Sequence, residues 1–172
     1  MDNMINLIDI GGCMKKIFYK IFLLFTFLFL FSCASSSLIT KQISSEDLYN
    51  LQISEIKVDY AEGITRDNKL EFLLKTEIKQ SLGFRFSAEG KDSLAIKVQG
   101  LKIIEKLQAG LFGAFAGGNE LVIEVSIISD GSVKGSFIVE DMYNPGGYAG
   151  VINVEKVMAE RVTKQIIKNL DI

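Results

Sequence analysis

The chain has 172 residues, a formal net charge of −2, one Pro, no Trp and no His. That length suits a single domain. The missing His removes the usual general base near neutral pH and the commonest metal ligand, and the slight acidity argues against nucleic acid, which wants a basic patch.

Hydrophobic residues make up 48% of the chain, a share raised by one segment near its start, "MKKIFYKIFLLFTFLFLFSCASSS". Lys15, Lys16 and Lys20 form a positive region, and Ile21 to Phe31 is an apolar run broken only by Thr26. The run is shorter than the about 20 apolar residues that span a bilayer. It has the pattern of a secretory signal peptide over residues 14–32. Residues 1–13, "MDNMINLIDIGGC", place Asp2 and Asp9 ahead of the lysines, where signal peptides are usually positive. Translation is therefore expected to begin at Met14, with Met1 a mis-assigned start. Cys13 then drops out, Cys33 alone remains, and no disulfide is expected. Loss of residues 1–32 takes three Lys and two Asp away and moves the net charge to −3.

Leu30-Phe31-Ser32-Cys33 resembles the bacterial lipobox: an aliphatic residue three before Cys, a small residue just before it, then Cys. Phe31 is bulkier than usual there. The resemblance implies that Cys33 is acylated with diacylglycerol, becomes the new N-terminus and in many bacteria takes a further acyl chain. Two or three acyl chains anchor firmly where one alone is marginal. By the sorting rule of such lipoproteins, Asp after the lipidated Cys retains them at the inner membrane. Here Ala34 follows, which implies the periplasmic side of the outer membrane, or the cell membrane where there is only one. Residues 33–47, Ser-rich and polar, read as a flexible tether.

Residues 48–172 read as one domain. "LQISEIKVDY" alternates through Leu51 and Ile53, then through Ile56, Val58 and Tyr60, which predicts a bulged strand. In "DNKLEFLLKTEIKQSLG", Leu70, Leu73, Leu74, Ile78 and Leu82 share one helical face. Asp67 or Asn68 can cap that helix, with Glu71 placed for a capping box after Asn68. Glu71 and Lys75 stand at i,i+4, and Gly83 ends the helix. "SLAIKVQGLKIIEKL" is a second strand whose phase resets at Gly100. "ELVIEVSIISDGSVKGSFIVED" is a hairpin: Leu121, Ile123, Val125 and Ile127 alternate, Asp130-Gly131 turns, and Val133, Gly135, Phe137 and Val139 return. Residues 153–169 form the last helix, with Val154, Val157, Met158, Val162, Ile166 and Leu170 as its apolar stripe.

The order is β-α-β-β-β-α, and two one-sided helices need one sheet face to cover. This predicts an α+β two-layer sandwich, with two helices on one face of a four-stranded mixed sheet. Behind a lipobox, the Gly-rich run 109–120, the hairpin, a Gly-containing loop and the terminal helix resemble a loose group of envelope lipoproteins. That group includes the lipopolysaccharide-transport lipoprotein, the curli-secretion lipoprotein and many small uncharacterised members. The resemblance covers most of the chain after Cys33 at the level of pattern and carries over only Cys33. The pore-forming hairpins of the larger members are missing.

No catalytic, cofactor-binding or metal-ligating set stands out. Without His there is no Ser-His or Cys-His nucleophile. Glu140 and Asp141, adjacent on a strand, point to opposite faces, so they read as a solvated strand end rather than a hydrolytic pair. Glu120, Glu124 and Asp130 lack calcium-loop spacing. Tyr143 and Tyr148 flank Pro145-Gly146-Gly147 and are weak contact candidates, since turn chemistry explains the motif. "AGLFGAFAGGNE" lacks the Lys and Ser/Thr of a phosphate-binding loop. Its Leu111, Phe112 and Phe115 have no use in a plain connection, and they are the candidate contact loop.

These features point to a non-enzymatic, lipid-anchored envelope protein. It would be held in the membrane by acylated Cys33 and would bind another envelope protein, with no cofactor. The alternatives are a periplasmic carboxylate-dependent enzyme and an oligomeric component whose Gly-rich loop touches lipid.

Overall fold

The computed structural model describes residues 35–104, 118–144 and 153–170. The chain divides into two compact units, Met1–Cys33 and Ala34–Ile172, and every described residue lies in the second. Its strands are β1 (Ser35–Lys41), β2 (Ile53–Tyr60), β3 (Asp92–Lys102), β4 (Asn119–Ser129) and β5 (Ser132–Tyr143). Its α-helices are α1 (Ser45–Tyr49), α2 (Asn68–Leu82) and α3 (Val154–Asn169), and a 3₁₀ turn, Gly83–Arg85, follows α2. The sheet order is β1-β5-β4-β3-β2.

The α+β class, the β2-α2-β3 crossover and the β3-β4-β5 meander match the sequence reading. The strand and helix counts do not. The sheet has five strands, and α1 is an additional short helix. Both additions lie in residues 35–49, of which 35–47 belong to the expected tether. Ser35–Lys41 pairs antiparallel with β5 instead. Nearly all of its side chains face solvent, so it carries no burial alternation for a pattern search to find. Its pairing is a backbone matter, made by ladder hydrogen bonds along the sheet edge. Ser44 then caps α1 by accepting from the Asp47 amide at 3.0 Å.

The parallel β2–β3 pair forms through α2, and both strands show the expected phase shifts, between Ile53 and Glu55 and between Val98 and Gly100. Asp67 is the cap of α2, accepting from Lys69 and Leu70 amides at 2.9 and 3.0 Å. Glu71 makes no capping box; it binds Lys75 at 2.8 Å and Arg66 at 2.7 Å. Gly83 ends the helix at φ 56°, a conformation open to glycine at little cost. Asp130 and Gly131 both take positive φ, 51° and 73°, as a type I′ hairpin turn demands. The ladder slips between Ile127 and Ile128. That bulge turns Val133 outward, to 42% exposure, where plain alternation had placed it inside.

The inward set of β3, β4 and β5 packs under Leu70, Leu74, Ile78 and Leu82 of α2 and under Val154, Met158, Val162 and Ile166 of α3 in one core. Among the described residues no helix is long and apolar enough to cross a membrane.

Candidate functional site

β1 runs antiparallel to β5, so the chain enters the sheet at the end where β5 finishes. Ser35 stands opposite Asp141, two residues before Tyr143 closes β5. Tyr143 pairs with Asn119, the first residue of β4. Buried Asn119 ties three stems together: its Oδ1 accepts from the Ile104 amide at 2.8 Å, and its Nδ2 donates to the Tyr143 carbonyl at 3.2 Å. Ile104, Asn119 and Tyr143 therefore meet at one sheet end, beside the point of chain entry. The turn after β2 also reaches it, with Ile64 and Thr65 beside Leu101 and Ile103.

Beneath this end lies a buried ion pair. Asp141 has no exposed surface. The expectation of a solvated Glu140–Asp141 strand end holds only for Glu140. The inward parity of Gly135, Phe137 and Val139 continues to Asp141, and α3 supplies Arg161 as its partner at 2.8 Å. Burial pushes the Asp141 carboxyl above the ordinary Asp range, and the hydrogen bonds and charge of Arg161 pull it only partly back. The Arg161 guanidinium also lies 5.9 Å from the Tyr143 ring centre. Tyr143 is half-buried and packs on the core.

Cys33, Leu111, Phe112, Phe115 and Tyr148 lie outside the described residues. Asn119 and Arg161 escaped the sequence reading, which placed Asp141 in solvent. Strand parity marks Asp141, but nothing local marks Asn119, whose role depends on two distant backbone groups.

At the other end of the sheet an open cleft of about 360 Å³ is lined by Asp47, Gln52, Glu89, Asp92 and Lys134 among others. Two of its carboxylates serve the fold. Asp92 accepts from the Gln52 amide at 2.9 Å, and Asp47 accepts from the Ser44 hydroxyl at 2.5 Å. Among the described residues no group of three acidic, His or Cys side chains is placed to hold a metal.

No protein family matches the chain. No curated protein matches it either. Among solved structures, the chain is similar to the PelC dodecamer from Paraburkholderia phytofirmans at 9% identity and TM-score 0.49, over 80% of this chain and 96% of that one. It is also similar to a candidate lipoprotein from Caulobacter crescentus, at 13% identity and TM-score 0.43, over 73% and 90% of the two chains. At these identities the likeness is one of fold alone.

Proposed function

We propose that this protein is a non-enzymatic lipoprotein of the bacterial envelope, anchored through acylated Cys33, whose domain binds another envelope component in assembly, transport or secretion. The observation that carries the proposal is the order of parts around Cys33. A positive region, an apolar run too short to span and a lipobox-like Leu30-Phe31-Ser32-Cys33 come first. A folded domain begins at Ser35 immediately after. Ala34 after Cys33 favours the outer membrane. The use of the cleft carboxylates Asp47 and Asp92 in structural hydrogen bonds supports a binding role over a hydrolytic one.

The direct test is Cys33→Ser, followed by labelling with a radioactive fatty acid and membrane fractionation. The parent chain is expected to take up label and sediment with the outer membrane. The variant is expected to stay unlabelled and to accumulate as an unprocessed or soluble form. A variant that fractionates with the outer membrane as before overturns the anchor.

A further inference from the structure

We infer that the sheet end formed by the start of β1 and the ends of β3 and β5 rests against the lipid surface, so that the domain stands on the membrane with α1 and the Asp130-Gly131 turn pointing away. This rests on the lipidation of Cys33 proposed above. The β1–β5 register fixes where the chain enters the sheet. Ser35 sits opposite Asp141, and Tyr143, Asn119 and Ile104 follow within a few residues, a distance of roughly 7–10 Å along the strands. Cys33 precedes Ser35 by two residues, which span at most about 7 Å when fully extended. A free tether over residues 33–47 could reach roughly 50 Å and would leave the domain's orientation open. Because Ser35–Lys41 is instead fixed in the sheet, the acyl chains begin close to this one end. β1 then leads away from it by seven residues, or about 23 Å.

The chemistry of this end suits a bilayer surface. Ile103 and Met142 are exposed at 36% and 47%, and Ile64 lies half-buried beside Ile103. Its described cations each stand beside an acid: Arg66 with Glu71, Lys69 with Glu155, and Lys102 across the ladder from Glu120, while Glu62 adds one exposed acid. The far end presents Tyr49 and Phe84, exposed at 85% and 82%, away from the bilayer, where a partner can reach them.

Single cysteines placed at exposed positions test this orientation, because the acylated thiol of Cys33 does not react with labels. Ile103→Cys and Glu62→Cys report the near end; Tyr49→Cys and Glu89→Cys report the far end. Each acylated variant is labelled with a fluorophore and reconstituted into phosphatidylethanolamine–phosphatidylglycerol vesicles with brominated acyl chains. Near-end labels are expected to be quenched at least roughly twofold more than far-end labels, since acyl-chain bromine quenches at short range and only labels that dip to the headgroup–acyl boundary come near it. Equal quenching at both ends, or stronger quenching at the far end, overturns the orientation while leaving the anchor intact. Failure of the protein to float with the vesicles overturns the anchor, and the orientation with it. Near-end labels that are unquenched in vesicles, at positions shielded from a soluble thiol reagent in intact envelopes, show that a protein rather than lipid covers this end, which also overturns the proposal.

Discussion

Arg161 holds both oxygens of Asp141, with Nε 2.8 Å from Oδ1 and 3.1 Å from Oδ2 and a second guanidinium nitrogen 2.8 Å from Oδ1. One Nε–H is shared between the two oxygens and a second nitrogen also lies on Oδ1, so the contact is charge-assisted without the two parallel bonds of a fork-on-fork pair. It is nevertheless a costly one, because the Asp141 side chain is fully buried while that of Arg161 is 28% exposed. Burial raises the Asp141 carboxyl more than Arg161 lowers it. The folded state therefore holds this proton more tightly than the unfolded chain does. Its contribution to stability is full below the ordinary Asp range and is lost as pH rises through the raised folded value.

Arg161→Gln leaves that carboxylate buried and unpaired. Near neutral pH the loss is expected to be about 3 kcal/mol, the lower end of the range for breaking a buried pair, because the guanidinium is partly solvated. On acidification the loss should shrink, since a protonated Asp141 needs no cation. Urea unfolding of parent and variant at neutral and mildly acid pH measures both. An equal loss at the two pH values shows that Asp141 is not the group responsible.

Glu71 titrates in the opposite sense. Its hydrogen bond from Lys75 holds the carboxyl below the usual Glu range, with Arg66 adding to the effect against a smaller opposing push from burial. Its contribution is present above the unfolded value and fades as pH falls through the folded one. Glu71→Gln should therefore reduce stability at neutral pH and leave it nearly unchanged at strongly acid pH. Chemical denaturation across that range decides the point, and a variant whose deficit grows toward acid contradicts it.

Asn119→Ala removes the buried acceptor of the Ile104 amide and the donor to the Tyr143 carbonyl. Each group left unsatisfied costs about 1–3 kcal/mol. A second consequence distinguishes the clamp from ordinary packing: hydrogen exchange at the Ile104 amide should accelerate more than exchange at the mid-strand amides of β3. Uniform acceleration along β3 would mean that Asn119 acts only through global stability.

The elements with strong alternation or strong helical stripes could be read from the sequence. The β4–β5 hairpin announces itself through Asp130-Gly131 between two apolar alternations. The α2 stripe at Leu70, Leu74, Ile78 and Leu82 is buried as its spacing requires. The bulges near Ile53 and Gly100 show as slips in side-chain phase. β1 could not be read, because an edge strand of Ser, Leu, Ile and Thr is defined by the backbone of β5 and not by its own side chains. Asp141 was misread because adjacency to Glu140 suggested a wet strand end. The partner that makes its burial tolerable lies 20 residues away on α3.

Gly90 is held where no side chain fits. A Cβ there would collide with the Gln52 carbonyl and meet the Ile53 carbonyl carbon at 2.9 Å, both of them backbone. Gln52 cannot yield freely, because its amide and carbonyl are both bonded to Asp92. Gly90→Ala should cost about 1–3 kcal/mol, the usual penalty of overpacking. Gly118→Ala, whose Cβ meets nothing closer than the Tyr143 carbonyl at 3.8 Å, should stay within about 0.5 kcal/mol. Thermal unfolding of the two variants compares them directly. Equal losses would mean that backbone freedom, rather than the close approach to Gln52, governs both sites.

The proposed contact role of Leu111, Phe112 and Phe115 calls for a test that separates surface from core. Their segment leaves the sheet after Ile104 and returns at Gly118, the end at which the chain enters through Ser35. Three such side chains kept in water forgo about 1.5–3 kcal/mol each relative to full burial, so they fit a surface that a membrane or a partner covers. Replacing all three with Ser should reduce crosslinking to the membrane fraction or to an envelope partner. The thermal midpoint should move little, because the folded domain then loses no buried contact. Were the three side chains core, the same substitutions would each cost about 2–5 kcal/mol. The midpoint of a domain this size would then fall by more than about 10 °C. A fall of that size sinks the contact role, whatever happens to crosslinking. A stable variant with undiminished crosslinking sinks it as well.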